Sequence, residues 1–348
     1  MVVCFYQYKQ ADACLVDLDF IYETILENHP GIYNEEDPKF CKVLRENYLI
    51  AKNKLKYKVY LLSKESIIDE FVKAFSDSHL GISWEKQNQQ EKLKKTNTKK
   101  RIPSIFYTND EYLWIKIPSF QLNAQELIEF KSFLKDFESR SKTKKLLIFD
   151  LRGNVGGNSL NGRCILSAVF GDQYLEEKIK NANQATFVDW RASQGNLIFL
   201  REKYKETKID EFQKIIEGME KALSHGKRYY REFEDRPKPG SKRMLSSNPN
   251  IKIVVIIDQK VFSAALDFID DLKIVHSDVT LIGQTTGKDR LYMDVRSLAL
   301  PSEKGWFYFP IKVYRNRARK DNQPYIPDVK LSTENDIELK KFVEQKIL

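Results

Sequence analysis

The amino-acid sequence predicts an α/β fold of the α+β kind, built around a buried sheet, and three observations support this prediction. Residues 146–149 are a short, continuously apolar run, and residues 253–257 within the predicted strand 251–257 are another; such runs are typical of strands buried on both faces. Segments with the helical spacing of apolar residues alternate with these runs along the chain. The chain has 348 residues, of which 12% are aromatic, so it can bury a sizeable core and is not intrinsically disordered.

The composition excludes several classes of protein. The net charge is +9, but 49 acidic residues are interleaved with 58 basic ones, so we expect a solvated surface and no nucleic-acid partner. No apolar run approaches the roughly 18 residues of a membrane helix, so we expect no stable membrane insertion. The four cysteines lie far apart without a C-x-x-C pair, so neither a zinc site nor a disulfide framework is predicted.

The extreme N-terminus leaves the cellular location open. Residues 1–5 are apolar, and residues 11–13 have the small-x-small form of a signal cleavage site. The apolar part is short and lacks a basic flank, so it fits at most the tail of a signal peptide. Export to the periplasm and a cytoplasmic location are therefore equally compatible with the sequence.

Helices dominate the first part of the chain. The spacing of apolar residues predicts helices over 15–28, 38–55 and 64–76. A His-Pro pair ends the first helix, and Ser63 is a candidate N-cap for the third. We therefore expect an N-terminal helical domain over residues 1–80.

From residue 102 the apolar period changes, which predicts the core of the protein over residues 81–330. Strands are expected at 112–117, 146–149, 251–257 and 279–282. Helices are expected at 123–137 and 262–273, and a C-terminal helix at 334–347 within a final segment, 331–348.

Residues 171–249 interrupt this core. The segment is charged and rich in lysine, glutamate and tyrosine, with one clear helical pattern near 209–223 and a Pro-Lys-Pro-Gly break at 237–240. We expect it to form a helical insertion on the core.

The first chemical motif is the sequence DLRGNVGG at 150–157. It follows a predicted buried strand and precedes a predicted helix, so its turn should leave several backbone N–H groups unpaired. Such groups bind anions, either a phosphate or the oxyanion of an acyl-transfer intermediate. The glycine pattern is not G-x-G-x-x-G, so a dinucleotide site is not predicted. The simpler alternative is a tight strand–helix turn.

The second motif is VFSAA at 261–265, directly after a buried strand. Ser263 stands at the start of a predicted helix, where the helix dipole and free amides can stabilise negative charge. On local sequence alone, an ordinary N-cap serine is the simpler interpretation.

Two further motifs contain charged groups. The sequence GQTTGK at 283–288 is similar to a Walker A loop but is one residue short, and Asp289 stands where a magnesium-binding Ser or Thr belongs. Nucleotide hydrolysis is therefore not predicted. The pair Ser78-His79 follows Asp77 where a predicted helix meets a strand.

The remaining histidines have no comparable sequence context. We interpret His29, His225 and His276 as structural or surface residues.

Together, these segments resemble the C-terminal-processing (tail-specific) protease family, in the branch of the tricorn core and the interphotoreceptor retinoid-binding protein repeats. The resemblance covers most of the chain and implies a crotonase-like ββα-spiral core and a serine endopeptidase acting on peptides or unfolded proteins. It implies no metal and no cofactor, and it leaves a homo-oligomer open. The matching segments are 17–33, 77–80, 112–120, 150–157, 263–265, 283–287 and 327–328.

The resemblance implies Ser263 as the nucleophile and offers two candidate bases. Tail-specific proteases use a Ser-Lys dyad, and Lys288 follows Ser263 at the matching interval. Tricorn-type members use a tetrad, in which Ser78 and His79 match the Ser-His pair and Asp321 stands in the place of the family's glutamate. We favour the tetrad because histidine acts as a base near neutral pH, whereas lysine needs a strongly lowered pKa.

The family pattern also implies an oxyanion hole, with one departure near it. Its expected donors are the backbone amides of Gly156 or Gly157, together with that of Ala264. The family's glutamate three residues past the nucleophile is Leu266 here, followed by Asp267.

A second class of function stays open at this point. It is a catalytically silent relative that binds hydrophobic ligands or protein partners, as the retinoid-binding repeats do. The presence of two overlapping catalytic sets in the sequence favours the enzyme.

Overall fold

A computed structural model describes residues 2–57, 63–84, 101–182, 186–233, 251–332 and 335–347. The elements group into two units, each made from three segments of chain. The first unit contains residues 1–96, 185–235 and 290–317, and the second contains residues 97–184, 236–289 and 318–348. Among the described residues, no helix is long and apolar enough to cross a membrane.

Helices and strands follow one another along the chain in a mixed order. The helices are α1 Val2–Asn28, α2 Phe40–Lys56, α3 Lys64–Lys73, α4 Ala124–Ser141, α5 Ser159–Phe170, α6 Asp172–Ala182, α7 Gln194–Thr207, α8 Asp210–Ser224, α9 Ala264–Val275 and α10 Asp336–Lys346. The strands are β1 Gly81–Ser83, β2 Ser104–Thr108, β3 Tyr112–Lys116, β4 Leu146–Asp150, β5 Phe187–Arg191, β6 Tyr229–Phe233, β7 Lys252–Ile257, β8 Val279–Gly283, β9 Tyr292–Ala299, β10 Trp306–Arg315 and β11 Val329–Lys330.

The first unit combines helices α1–α3, α7 and α8 with an antiparallel sheet. Its strands run in the order β1-β10-β5-β6, and β9 pairs with β10. Buried residues of the helices, such as Ile21 and Phe71, share one apolar core with sheet residues such as Phe307.

The second unit is built on a six-stranded sheet in the order β11-β8-β7-β4-β3-β2, in which only β2 pairs antiparallel. Side chains alternate between two cores along each central strand. Leu147 and Phe149 face the core beneath α5 and α9, whereas Leu146 and Ile148 face the core beneath α10. Both faces are covered, which explains the continuous apolar runs in the sequence.

Most predicted elements are present, with shifted ends. Helix α1 starts at Val2, well before the predicted start of the 15–28 helix. No glycine or proline precedes residue 15, so nothing in the sequence stops the helix from extending. The Ser63 cap is confirmed, since its hydroxyl accepts the Ser66 N–H at 3.1 Å.

The segment 171–249 differs from the helical insertion expected for it. The helix predicted near 209–223 is α8, but strands β5 and β6 also lie in this segment and pair with each other. Val188 and Trp190 alternate with Asp189 and Arg191 in β5, which is a strand pattern, but it spans only a few residues of a charged segment and was not recognised. Both Asp189 and Arg191 are buried. The break at 237–240 lies outside the described residues. The domain boundaries predicted from the sequence stay predictions.

Candidate active site

The parallel strands of the second unit bring several motifs to one edge of the sheet. Lys116 pairs with Asp150 and Asp150 with Ile256, while Ile257 pairs with Gly283. The loops that follow β3, β4, β7 and β8 therefore leave the sheet side by side. The glycine-rich turn, the Ser263 turn and the GQTTGK loop all belong to this edge.

Asn154 holds the glycine-rich turn together from inside. Its side chain is fully buried, with Nδ2 donating to the Ile117 carbonyl at 2.9 Å and Oδ1 accepting the Gly156 N–H at 2.9 Å. Its own carbonyl accepts the Phe262 N–H at 3.1 Å. One residue thus connects the loop after β3, the glycine-rich turn and the Ser263 turn.

Gly156 lies directly against the Ser263 turn. A Cβ placed on Gly156 would fall 2.8 Å from Cβ of Ser263 and 3.0 Å from the amide nitrogen of Ala264. Its φ of +99° is also one that residues with a side chain rarely adopt. Only glycine fits here, so the two turns approach each other as closely as their backbones allow.

Ser263 adopts a backbone conformation that is strained for a residue with a side chain. Its φ is 55° and its ψ is −126°, and α9 begins at the next residue. The hydroxyl makes no capping hydrogen bond to the helix, so the simple N-cap interpretation is wrong. A strained serine on a sharp strand-to-helix turn is the arrangement that presents a nucleophile in α/β-hydrolases.

Two backbone N–H groups of these adjoining turns remain available for a ligand. Within the described ranges, neither the Gly157 nor the Ala264 amide donates to another group of the protein. The Gly156 N–H, by contrast, is already donated to Asn154. Of the two glycines predicted as oxyanion donors, Gly156 therefore allows the two turns to pack closely, whereas the N–H of Gly157 remains available as a donor.

Asp267 connects the two helices that start at these turns. Its Oδ2 accepts a 2.8 Å hydrogen bond from the Ser159 hydroxyl at the start of α5. Its Oδ1 lies 3.5 Å from the buried Arg319 guanidinium, which also pairs with Asp270 and Asp289. Leu266, at the place of the family's glutamate, is fully buried.

Lys288 and Asp321 lie on two neighbouring segments of the second unit. The Gly287 N–H donates to the Val261 carbonyl at 3.0 Å, which fixes the Lys288 loop beside the Ser263 turn. The Asn322 N–H donates to the Asp289 carbonyl at 2.9 Å. Both the Lys288 and the Asp321 side chains are exposed. Among the described residues, the Lys288 ammonium group has no hydrogen-bond or ion-pair partner.

A cavity of about 600 Å³ opens at the same edge. Its lining combines polar side-chain and backbone groups with a larger apolar area and consists of Gln259, Gly283, Gln284, Thr285, Thr286, Lys330, Leu331 and Ser332. Such a mixed lining offers both apolar contact and hydrogen bonds to a ligand.

Ser78 and His79 belong to the first unit, just after α3. Ser78 is exposed and His79 is buried. The Asp77 carboxylate accepts the backbone N–H of His79 at 2.9 Å and lies 3.8 Å from its ring Nδ1. Among the described residues, no group of three or more His, Cys, Asp or Glu side chains could hold a metal ion.

The sequence of the second unit and part of the first matches a known family. Residues 111–331 match the sequence profile of peptidase family S41. The chain belongs to peptidase family S41. It is a serine-type peptidase with the α/β protease core of that family, which confirms the resemblance seen in the sequence. No curated protein sequence matches this S41 peptidase.

The fold of the S41 peptidase is also similar to solved structures. Mature CPAF complexed with lactacystin aligns with a TM-score of 0.60 and 11% identity, covering 96% of each chain. Mature CPAF aligns with a TM-score of 0.56 and 10% identity, covering 92% of this chain and 93% of that one. A lipoprotein from Streptococcus agalactiae aligns with a TM-score of 0.53 and 16% identity, covering 96% and 97%. At such identities the likeness concerns the fold alone.

Sequence reasoning missed the part that Asn154 plays in this S41 peptidase. The available signal was an asparagine inside a glycine-rich turn, where a side-chain amide often replaces a backbone partner. The second link, from Asp267 to Ser159, joins residues 108 positions apart, and no local pattern reveals it.

Proposed function

We propose that this S41 peptidase cleaves peptide bonds through an acyl-enzyme on Ser263. The observation that carries the proposal is the strained turn, which presents the hydroxyl of Ser263 without a capping role. Strain of this kind costs on the order of 1–3 kcal/mol and persists at functional sites because they need it.

The oxyanion hole in this proposal is formed by the N–H groups of Gly157 and Ala264. Ala264 follows Ser263 directly and begins α9, while Gly157 follows the glycine that lies against the Ser263 turn. Neither N–H is used within the described part of the chain. The helix dipole adds partial positive charge at that end. An oxyanion formed by attack of the Ser263 hydroxyl would therefore meet two fixed donors.

The base in this proposal is His79, with Ser78 and Asp321 completing a tetrad. His79 takes the proton from Ser263 Oγ as the oxygen attacks the scissile carbonyl carbon. It then gives the proton to the leaving amine as the C–N bond breaks, and water hydrolyses the resulting ester. Exposure of Lys288 weighs against the dyad, because a lysine base depends on removal of its ammonium group from water.

The proposed substrates are extended peptides or unfolded C-terminal segments. This class follows from the resemblance to tail-specific proteases. The cavity lined in part by Gln259, Gln284 and Lys330 supports it, because it offers both hydrogen-bonding groups and apolar surface beside the Ser263 edge of the sheet.

A fluorophosphonate probe tests the nucleophile directly. We expect one covalent adduct, mapped by mass spectrometry of tryptic peptides to Ser263, and no adduct in Ser263→Ala. A folded protein that hydrolyses peptides while the probe labels another residue would contradict the proposal.

Two alanine variants test the base. We expect His79→Ala to lose as much hydrolysis as Ser263→Ala, because members of one catalytic unit are not additive. Lys288→Ala should have a modest effect, similar to that of Lys135→Ala on the exposed face of α4. Near-normal hydrolysis in His79→Ala, with complete loss in Lys288→Ala, would establish the dyad instead.

A further inference from the structure

His29 is a buried histidine that the proposed mechanism does not use, and its hydrogen bonding fixes its tautomer. The residue follows the end of α1 and caps the helical turn Pro30–Tyr33, where its Nδ1 accepts the Gly31 N–H at 2.9 Å. A backbone N–H can only donate, so Nδ1 holds a lone pair. In neutral His29 the proton is therefore on Nε2.

The surroundings of His29 keep it neutral. Its ring stacks on Phe40 at 4.5 Å between centroids and meets the edge of Tyr292 at 4.9 Å. Burial, with a smaller contribution from the Arg290 guanidinium, holds the pKa of His29 well below its usual range. At physiological pH the His29 ring is therefore neutral, and its Nε2 carries the proton.

That Nε2 faces Asp77, whose carboxylate lies between two histidines. Nε2 of His29 is 4.0 Å from Asp77 Oδ2, while Nδ1 of His79 is 3.8 Å from Asp77 Oδ1. The three side chains are only 0%, 1% and 7% exposed, in the order His29, Asp77, His79. Oδ1 also accepts the backbone N–H of His79 at 2.9 Å, which ties the carboxylate to the chain carrying that ring.

We propose that Asp77 is a positioning residue for His79, and that His29 in turn holds Asp77. A carboxylate can only accept, so the ring nitrogen that faces it, Nδ1 of His79, carries the proton. Nε2 of His79 then holds the lone pair that a general base needs. At 3.8 Å the contact is longer than a hydrogen bond, and the proposal requires it to shorten when substrate binds. This inference rests on the proposed function in one respect, namely that Nε2 of His79 acts as the general base.

The tautomers can be read directly by NMR of the full chain. The protein has four histidines, so ¹⁵N-histidine labelling gives a simple long-range ¹H–¹⁵N spectrum, assigned with His79→Gln and His29→Gln. At mildly alkaline pH we expect His79 to carry its proton on Nδ1 and His29 on Nε2. A wild-type spectrum with His79 protonated on Nε2 alone overturns the proposal without any variant at Asp77.

The variant Asp77→Asn tests the same contact by substitution. Its amide can donate to Nδ1, so the His79 proton should move to Nε2, and kcat/KM should fall by about 10²-fold or more. Asp77→Glu keeps an acceptor and should recover part of this loss. The matched control is Asp69→Asn, since Asp69 bonds Trp84 and not His79. An Asp77→Asn protein with the wild-type tautomer and wild-type kcat/KM contradicts the proposal.

These readouts separate this proposal from the one it extends. If His79→Ala retains full hydrolysis, the base assignment fails, yet the tautomer of His79 still reports on Asp77. If the tautomers are wrong while His79→Ala is inactive, the positioning role fails and the base stands.

Discussion

The hydroxyl of Ser159 donates a 2.8 Å hydrogen bond to the carboxylate of Asp267. The bond joins the first turn of α5 to the first turn of α9. One helix follows the glycine-rich turn and the other follows Ser263. The bond therefore sets the distance between the two turns whose amides we assign to the oxyanion.

A double-mutant cycle on Ser159 and Asp267 measures the free energy of their interaction. We expect Ser159→Ala and Asp267→Ala each to lower the free energy of unfolding in urea, with a coupling of about 1.5 kcal/mol, because the acceptor is charged. Both should also lower kcat/KM, since the turns lose their fixed spacing. If the two losses simply add, the bond does not couple the helices.

Gly156 and Gly153 form a matched pair for testing the glycine-rich turn. Both have positive φ, but a Cβ on Gly153 would meet nothing within 4 Å, whereas one on Gly156 would clash with Ser263. We expect Gly156→Ala to lower kcat/KM by about 10²-fold or more, through displacement of the oxyanion donors. Gly153→Ala should carry only the backbone strain and retain activity. Equal kinetics in the two folded variants would remove the turn from the mechanism.

The strain at Ser263 predicts a gain in stability when the residue becomes glycine. Glycine adopts φ 55° and ψ −126° readily. We expect Ser263→Gly to raise the free energy of unfolding by about 1 kcal/mol, after the extra freedom of glycine in the unfolded chain is subtracted. Ser263→Ala retains a Cβ and should show no such gain. Both variants should be inactive, and urea denaturation distinguishes them.

Asp271 predicts a specific dependence of stability on pH. Burial raises its pKa from 3.8 to about 6, although Arg163 bonds it at 2.9 Å. Between about pH 4 and 6 the folded protein keeps a proton there that the unfolded chain has released. The free energy of unfolding should thus fall as pH rises through this window, by up to about 3 kcal/mol.

The variant Asp271→Asn should remove this part of the pH profile. The control Asp136→Asn alters a carboxyl group on the exposed surface of α4 and should leave the profile unchanged. Parallel profiles for wild type and Asp271→Asn would mean that Asp271 titrates at its ordinary pKa in the folded protein.

The sequence predicted those parts of the fold in which local pattern and tertiary environment agree. Strands 146–149 and 251–257 are apolar on both faces because helices cover both, so their burial could be read directly. The glycine-rich turn at 150–157 could also be predicted from the sequence, because its backbone angles and close contacts require glycine.

Other features depend on contacts that are distant in sequence. Strand β5 was not predicted because its short alternation of apolar and charged residues lies within a charged segment. The ion partners that allow Asp189 to be buried, Arg231 and Arg315, also lie far along the chain. The positive φ of Ser263 also has no signature in the sequence, because serine is an ordinary residue at a helix start. A serine that caps a helix and a serine held in a strained turn occupy the same position before the helix. The sequence does not distinguish the two, whereas the backbone angles do.

The sheet of the first unit cannot be completed until its latest strand in the chain has been synthesised. Strand β10 pairs with β1, β5 and β9, so it is the strand on which that sheet depends. It also follows α1–α3 and β5 in the chain, so it is synthesised after them. Until residue 315 emerges, the apolar faces of α1–α3 and β5 have no finished sheet to cover them. On the nascent peptidase these faces are therefore exposed to aggregation until β10 has been made.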